Sequence, residues 1–342
     1  MTETNIFDEQ LVELKTALVN APISLASFSD SIAKLFNEFQ VTGRDAATKD
    51  FVEVRDNTRK QAVVYKEKVL PSTETAMKRI ATYIEIYIAL TFEQWKDSLD
   101  PIMKALREAE IVCEFLRDLH KDIITQLEKN KSQATIGVEQ LKKMKTQYQQ
   151  ERDKLVIQAD EAAASAESAK SWGKNLVPVT FGISALVGSA IADNHETKRE
   201  QHLCNAAARD ENANIAAKAA ALTTTDLIPA IESFIKCLEV FLKFVNLSKT
   251  KIERMRDEGD NGAQKLFYLT MQKKANDISG LCDNFVSLTD CMRTKMAALP
   301  KDPSDKNYVD KWLEEQLKNF QQKSGHMNFM ATLHNFLKSV KK

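Results

Sequence analysis

The sequence contains few of the residues that a protein with many strands needs for its turns. Only 9 glycines and 7 prolines occur among the 342 residues, whereas these two types make up about 12% of an average protein. Because hairpins and tight turns depend on them, their scarcity argues against a sheet protein. Hydrophobic residues account for 43% and charged residues for 28% of the chain, as is typical of a soluble protein with a buried core.

The chain also has no excess of charge of either sign. Its 48 basic residues are balanced by 48 acidic ones, so no overall positive field exists to attract nucleic acid. The sequence therefore predicts that neither DNA nor RNA is a partner.

Motifs of enzymes and of metal sites are missing from the sequence. It contains no G-x-G-x-x-G, G-x-x-x-x-G-K-[ST], H-E-x-x-H or G-x-S-x-G, so we predict no enzyme activity, no cofactor and no metal. His195 and His202 share a helical face but lie about 10 Å apart, too far for one zinc ion. Because histidine titrates near neutrality, the pair is kept as a hypothetical pH latch, with solvated or capping histidines as the alternative.

The five cysteines are Cys113, Cys204, Cys237, Cys282 and Cys291, with no C-x-x-C pair. Their odd number and wide spacing predict free thiols, mostly buried, with one pair across neighbouring helices as the alternative. The first five residues show neither a basic region nor an apolar one. We expect synthesis as a soluble protein without a classical signal peptide, in a reducing compartment.

Apolar residues recur at helical spacing, and prolines and glycines separate the helical regions. The predicted helices cover about 7–39, 49–97, 102–173, 195–258, 263–299 and 306–342. Pro22, Pro71 and Pro229 predict kinks or bends, and Asp100 is predicted to cap the third helix. The fold class is thus all-α, an elongated bundle of five to six long helices.

The third helix is the longest stretch without proline, about 70 residues or on the order of 100 Å. A seven-residue repeat of mainly apolar side chains predicts contact with another helix, either as a coiled coil or as a bundle. His120 lies on this seam and is interpreted as a packing residue. The seam weakens around Lys131-Ser132-Gln133, which predicts a hinge there.

One segment, Leu176 to Ala192, carries no charge over seventeen residues and reads LVPVTFGISALVGSAIA. As a helix it would span about 25 Å, short of a hydrocarbon core of about 30 Å. Pro178, Gly182 and Gly188 interrupt it, so a hairpin tip that inserts into a membrane fits better than a permanent span. A buried core helix and an oligomerisation tip are the alternatives.

The flanks of this segment favour membrane insertion. Alanine-rich stretches on both sides would let two antiparallel helices approach closely. Trp172, Lys174, Lys198 and Arg199 suit a membrane interface. The residues predicted to enter the membrane are Leu176, Val177, Pro178, Val179, Phe181, Gly182, Ile183, Ala185, Leu186, Val187, Gly188, Ala190 and Ile191.

In this arrangement the sequence resembles the cytolysin A superfamily of α-helical pore-forming toxins, which includes haemolysin E, the Hbl and Nhe components of Bacillus, and the Yax and Xax toxins. The resemblance rests on the long helices, on an apolar tongue between the third long helix and its return partner, and on the small-residue pattern Phe181-Gly182-Ile183-Ser184-Ala185-Leu186-Val187-Gly188. It implies one elongated domain, 1–342, with a tongue at 173–195 on the hairpin of 102–172 and 196–258.

The function that the resemblance implies is that of a secreted cytolysin subunit. A soluble form would sequester the tongue, insert it into target-cell membrane lipid, and oligomerise into a pore, either with copies of itself or with a second toxin component. Two alternatives come from the residues themselves. One is a cytosolic coiled-coil scaffold with the apolar segment as core, and the other is a lipid-associated protein anchored by a hairpin.

Overall fold

The computed structural model describes residues 3–38, 46–173, 201, 204–208, 210–324 and 329–340. Within them every element is helical, which confirms the all-α class and a bundle of long helices. The α-helices are α1 (Glu3–Glu38), α2 (Ala46–Val64), α3 (Leu70–Ala89), α4 (Phe92–Asp97), α5 (Leu99–Gly173), α6 (Ile228–Glu258), α7 (Asn261–Lys295), α8 (Asp305–Ser324) and α9 (Phe329–Val340). Residues 204–208 and 210–222 are helical as well.

Two π-helical turns, Tyr65–Val69 and Thr223–Leu227, occupy the places where bends were predicted. The amide of Leu70 donates to the carbonyl of Tyr65, and that of Ile228 donates to the carbonyl of Thr223, five residues back in each case. The next residues, Pro71 and Pro229, lack an N–H, and their rings would clash with a carbonyl four residues back in an α-helix. A wider turn accommodates each ring, so the chain stays helical where the sequence predicted a bend.

Local side chains determine several helix ends. Thr91 and Gln94 form a capping box that starts α4, and Gly259 ends α6 in the left-handed conformation, with φ of 64°. The Asp260 side chain accepts from the amide of Ala263 and starts α7. The predicted cap of α5 was placed too late, because the helix begins at Leu99 and Asp100 lies within its first turn.

The chain divides into two compact units. Unit 1 comprises 1–38, 55–131 and 221–342, and unit 2 comprises 39–54 and 132–220. The boundary within α5 falls between Lys131 and Ser132, where the sequence predicted a hinge. A hinge motion there, like the single elongated domain, stays a prediction.

Unit 1 is a bundle in which α1 packs against α6 and α7, and α3 packs against α7. Phe7 contacts Phe267 with ring centroids 4.8 Å apart, and further along Lys15 pairs with Asp277 at 2.7 Å. Helices α1 and α7 therefore run in the same direction. Phe7 also contacts Phe244 of α6, whereas Ser24 donates to Ser233 at 3.0 Å. Helix α6 therefore runs antiparallel to α1.

All five cysteines are free thiols, as the sequence predicted. Cys113, Cys237 and Cys282 are buried, whereas Cys204 and Cys291 are exposed. Burial raises the pKa of the Cys113 thiol to about 12, that of Cys237 to about 11 and that of Cys282 to about 12. Because the thiolate is the reactive form, these three side chains serve as small packing groups.

Candidate functional site

Helix α5 leads directly to the predicted tongue. It ends at Gly173, which agrees with the third long helix expected over 102–172. On the far side, residues 204–208 and 210–222 are helical and precede the π turn and α6, as expected for the return arm over 196–258. The described chain therefore has a long helix on each side of the apolar segment.

The predicted membrane-inserting residues, Leu176 to Ile191, all lie outside the described residues. The same holds for the predicted interface residues Lys174, Lys198 and Arg199 and for the hypothetical latch of His195 and His202. Trp172 belongs to the last turn of α5, but its side chain lies outside the described part. No helix in the part that the structure describes is long and apolar enough to cross a membrane.

In unit 2, four alanines of the return arm are buried, whereas Ala207 is exposed. Ala206, Ala213, Ala216 and Ala219 are at most 4% exposed, which places methyl groups, rather than long side chains, at the buried face of this arm. On the stretch of α5 in the same unit, Ala134 and Val138 are buried, whereas Ile136 and Ile157 are more than half exposed. Small buried residues make close helix packing possible with little apolar area per residue. Close packing of the two alanine-rich arms against each other stays a prediction.

At one end of unit 1, an aromatic cluster fills the core. We call it the end layer, and it consists of Phe7, Tyr83, Tyr87, Phe92, Trp95, Phe244, Phe267 and Tyr268. Trp95 is fully buried and its ring lies 5.8 to 6.1 Å from the rings of Tyr87, Phe92, Phe267 and Tyr268. The Tyr268 hydroxyl donates to the carbonyl of Leu90 at 2.6 Å, fixing the end of α3 to α7.

A second cluster, the middle layer, lies at the first π turn and consists of Phe28, Tyr65, His120, Phe234 and Phe285. His120 of α5 is fully buried, and its ring centroid lies 4.8 Å from that of Phe234 on α6. Its Nδ1 lies 2.7 Å from the Leu116 carbonyl oxygen, and its Nε2 lies 3.2 Å from the Tyr65 hydroxyl. The prediction that His120 is a satisfied packing residue is thus confirmed.

The electrostatics of the middle layer follow from burial. Removal from water lowers the pKa of His120 to about 4, against a weaker raising effect of the Leu116 carbonyl. Burial has the opposite effect on the Tyr65 hydroxyl and raises its pKa. Both groups are therefore neutral near pH 7, and the layer holds two hydrogen-bonded polar groups without a charge.

Beside the middle layer, an ionic cluster joins α2 to the start of α8. Arg59, whose side chain is 6% exposed, lies 2.8 Å from the Asp305 carboxylate and 3.0 Å from that of Asp56. It also donates to the carbonyl of Pro300 at 3.2 Å. Next to Arg59 on α2, the Thr58 hydroxyl accepts from the Asn130 side chain of α5 at 3.2 Å. These polar contacts hold the helices together next to Tyr308, whose hydroxyl accepts from Gln61 at 2.7 Å.

Three features of this framework were missed by sequence reasoning. The π turns could have been suspected because Pro71 and Pro229 interrupt otherwise unbroken helical patterns. Neither the contact of His120 with Tyr65 nor the cluster around Trp95 has a local signal, because their members come from helices far apart in sequence.

No known sequence family matches the chain, and no curated protein is similar to it in sequence. Solved structures are similar in fold. The SmhB pore of the tripartite α-pore-forming toxin Smh from Serratia marcescens matches with 13% identity and a TM-score of 0.59, over 83% of this chain and 99% of that one. The AhlB pore of the tripartite toxin AHL from Aeromonas hydrophila matches with 12% identity and a TM-score of 0.60, over 86% and 99%.

Soluble SmhB is similar too, with 13% identity and a TM-score of 0.51, over 86% of this chain and 99% of that one. Identities this low establish the fold alone. The resemblance to the cytolysin A superfamily is confirmed at that level, and the chain has the fold of α-pore-forming toxin components.

Proposed function

We propose that this chain is a subunit of an α-pore-forming toxin and that the segment Leu176 to Ala192 is the part that inserts into the target membrane. The observation that carries the proposal is the fold, which the chain shares with toxin components solved both as pores and in soluble form. The position of the one long uncharged segment, between two helical arms, supports the same conclusion.

The mechanism follows from the cost of exposing this segment to water. Each Å² of apolar surface removed from water contributes about 25 cal/mol, so seventeen mostly apolar residues favour either burial in protein or insertion into lipid. A bilayer supplies the second environment, and contacts between subunits then favour the inserted state. Since backbone groups in lipid must be hydrogen-bonded internally, the inserted segment is expected to be helical or to pair within the assembly.

The arms would support this transition. Alanines such as Ala213 and Ala216 bury little apolar area each, so repacking the return arm costs less than repacking leucines would. Trp172, Lys174, Lys198 and Arg199 are proposed to lie at the headgroup level. The latch of His195 and His202 stays a hypothesis.

The proposed partners are membrane lipid and other toxin subunits. SmhB and AhlB belong to tripartite toxins. The proposal therefore covers both a homo-oligomer of this chain and an assembly with a second toxin component. The protein would be made soluble, released from its cell, and inserted into the membrane of a target cell.

Dye release from liposomes tests the proposal. The purified chain is compared with Gly182→Asp/Leu186→Asp, which places two charges in the tongue. The matched control is Ile136→Asp/Ile157→Asp, which adds the same charges at exposed apolar positions of α5. Liposome flotation measures binding in parallel, and circular dichroism checks that each variant is still helical.

We expect leakage or membrane binding with the wild-type chain and the control, and its loss in the tongue variant. Equal leakage from wild type and tongue variant would refute the role of the segment. Absence of both leakage and binding across neutral, anionic and sterol-containing liposomes would refute the toxin function and favour the scaffold alternative.

A further inference from the structure

His120 is held in one protonation state by its surroundings. The Leu116 carbonyl oxygen can only accept, so Nδ1, at 2.7 Å, carries the ring proton. Nε2 is then a lone-pair acceptor, and the Tyr65 hydroxyl at 3.2 Å donates to it. Both side chains are 0% exposed, which leaves no water to solvate a second proton on the ring.

This histidine belongs to the middle layer, which contains the first residue of one π turn and is connected to the other through α6. Tyr65 is the first residue of one turn, and its ring lies 4.6 Å from that of Phe28 on α1. The other turn, Thr223–Leu227, packs against α1 and directly precedes α6, which carries Phe234 against the histidine. Since π turns are rare and are frequently found at functional sites, the two π turns are the places where we expect the helices that contain them to rearrange.

We propose that His120 is an acid-sensitive latch, and that protonation of its Nε2 opens unit 1 locally at the two π turns. The incoming proton occupies the lone pair to which Tyr65 donates, so the hydrogen bond can persist only in the reverse direction, with the Tyr65 oxygen accepting from Nε2–H. A cation is then left among Phe234, Tyr65 and the aliphatic core. A buried charge without a counter-ion is strongly unfavourable. Opening the layer to water relieves it.

Among the residues that the structure describes, no carboxylate contacts His120 to compensate this charge. Beside the layer, buried Arg59 is paired with Asp56 and Asp305. The other charged groups near the layer, on His120's own helix and on the elements packed around it, occupy exposed or half-buried positions; they include Asp30, Lys66, Glu67, Lys68, Glu114, Arg117, Asp118, Lys121, Asp122, Glu232, Lys236, Glu239, Asp283 and Asp310. Several pair with one another, as Lys68 does with Asp310 at 3.2 Å and Lys121 with Glu239 at 4.0 Å. The cation would therefore have no counter-ion among the five side chains of the layer.

The direction of the pH effect follows from the pKa of His120. In the closed layer burial lowers it to about 4, from an ordinary 6.5. The open form binds a proton as the pH falls through 6.5, whereas the closed form does so only near 4, so closure is fully stable above 6.5 and weakens progressively below it. These two values give an opening constant about 30-fold larger at pH 5 than at pH 7.5.

Hydrogen exchange of the full-length chain in solution tests the latch. Rates at pH 7.5 and pH 5.0 are divided by the intrinsic rates, so that only the change in protection remains. We expect protection in peptides covering 61–74, 116–124 and 223–236 to fall by tens of fold. Peptides of the end layer, 83–95 and 264–271, contain no histidine and are expected to keep theirs. Equal changes in both layers, or no change in the first, would overturn the proposal.

His120→Gln makes the test specific, because glutamine keeps a donor and an acceptor but does not titrate in this range. We expect its middle-layer protection to be independent of pH, whereas His334→Gln, at an exposed position of α9, should behave like wild type. His120→Leu is the second non-titrating variant if glutamine does not fold. A pH response that persists without His120 would contradict the latch.

Within the proposed function, acidification would ease release of the arms, and this part of the inference rests on that function. The exchange experiment uses no membrane. A chain that never permeabilises liposomes could still show the latch, and a chain that permeabilises them equally at both pH values could lack it, so the two failures are distinguishable.

Discussion

The two layers of unit 1 solve the same packing problem with different chemistry. In the end layer, aromatic rings pack tightly around Trp95, close to regular helix ends. Gly259 and Asp260 form the short turn between α6 and α7 beside this layer. The middle layer joins the longest helix to the first π turn through a buried histidine and a tyrosine. The first arrangement stabilises one conformation, whereas the second places a titratable group where the helices are least regular. The comparison suggests that the end layer is rigid and that the middle layer can change its conformation.

Removing the largest ring of the end layer should have the largest effect. Trp95→Ala deletes a side chain that is 0% exposed, and large-to-small changes of this kind cost roughly 3–5 kcal/mol of unfolding free energy. Urea unfolding at pH 7.5 measures the loss. Phe92→Ala, at a half-buried neighbour, is the control and should cost less than half as much. Equal losses would mean that the end layer is not organised around Trp95.

The ionic cluster beside the middle layer should come next. Asp305→Asn leaves the guanidinium of Arg59, 6% exposed, with Asp56 as its remaining carboxylate. Breaking a buried pair costs roughly 3–5 kcal/mol, and we expect the lower end because the Asp305 side chain is 15% exposed. Lys15→Gln removes an exposed pair with Asp277 and should change stability by less than about 1 kcal/mol. Urea unfolding of both variants checks the difference.

A smaller effect is expected from pH. Between pH 7.5 and pH 5, protonation of His120 should lower the folding equilibrium constant about 30-fold, which is about 2 kcal/mol of unfolding free energy, because its pKa is about 4 in the folded chain and 6.5 when unfolded. The difference between wild type and His120→Gln in urea unfolding should therefore shrink or reverse as the pH falls. A difference that is constant with pH would show that His120 titrates normally in the folded protein.

The smallest predicted effects on stability come from two glycine-to-alanine substitutions, one destabilising and one stabilising. Gly259→Ala puts a Cβ on a residue with φ of +64° that meets no atom within 4 Å, so its cost of about 1 kcal/mol is purely conformational. Gly280→Ala, in the interior of α7 and also without a close neighbour, should stabilise by up to about 1 kcal/mol. Thermal unfolding of both variants gives the two signs. A Gly259→Ala variant that is as stable as wild type, or more stable, would mean that the turn at Gly259 does not require glycine.

Much of the fold was predictable because helices carry their signal locally. The spacing of apolar residues predicted α1, α5 and α7 within a few residues, and Gly259 predicted the turn between α6 and α7. The π turns were not predictable in kind, because a proline shows that the regular helix must change but not whether it bends or widens. The start of α5 was misplaced because Asp100 can act either as a cap or within the first turn.

The candidate site also has features that the sequence predicts and features that it does not. The uncharged segment and its two arms were visible in the sequence because charge is otherwise frequent. By contrast, the meeting of His120 with Tyr65 joins residues 55 positions apart, and no pattern along the chain specifies that pairing.

The central claim is that Leu176 to Ala192 enters lipid, and the depth of a label within it tests this most directly. Leu186→Cys in a Cys204→Ser/Cys291→Ser background leaves three native thiols, all buried and with raised pKa values of about 11 to 12, so an environment-sensitive fluorophore would react mainly at position 186. On liposomes we predict a blue shift, quenching by lipid-borne quenchers and protection from aqueous iodide. A label that stays accessible to iodide on membrane-bound protein would contradict the account.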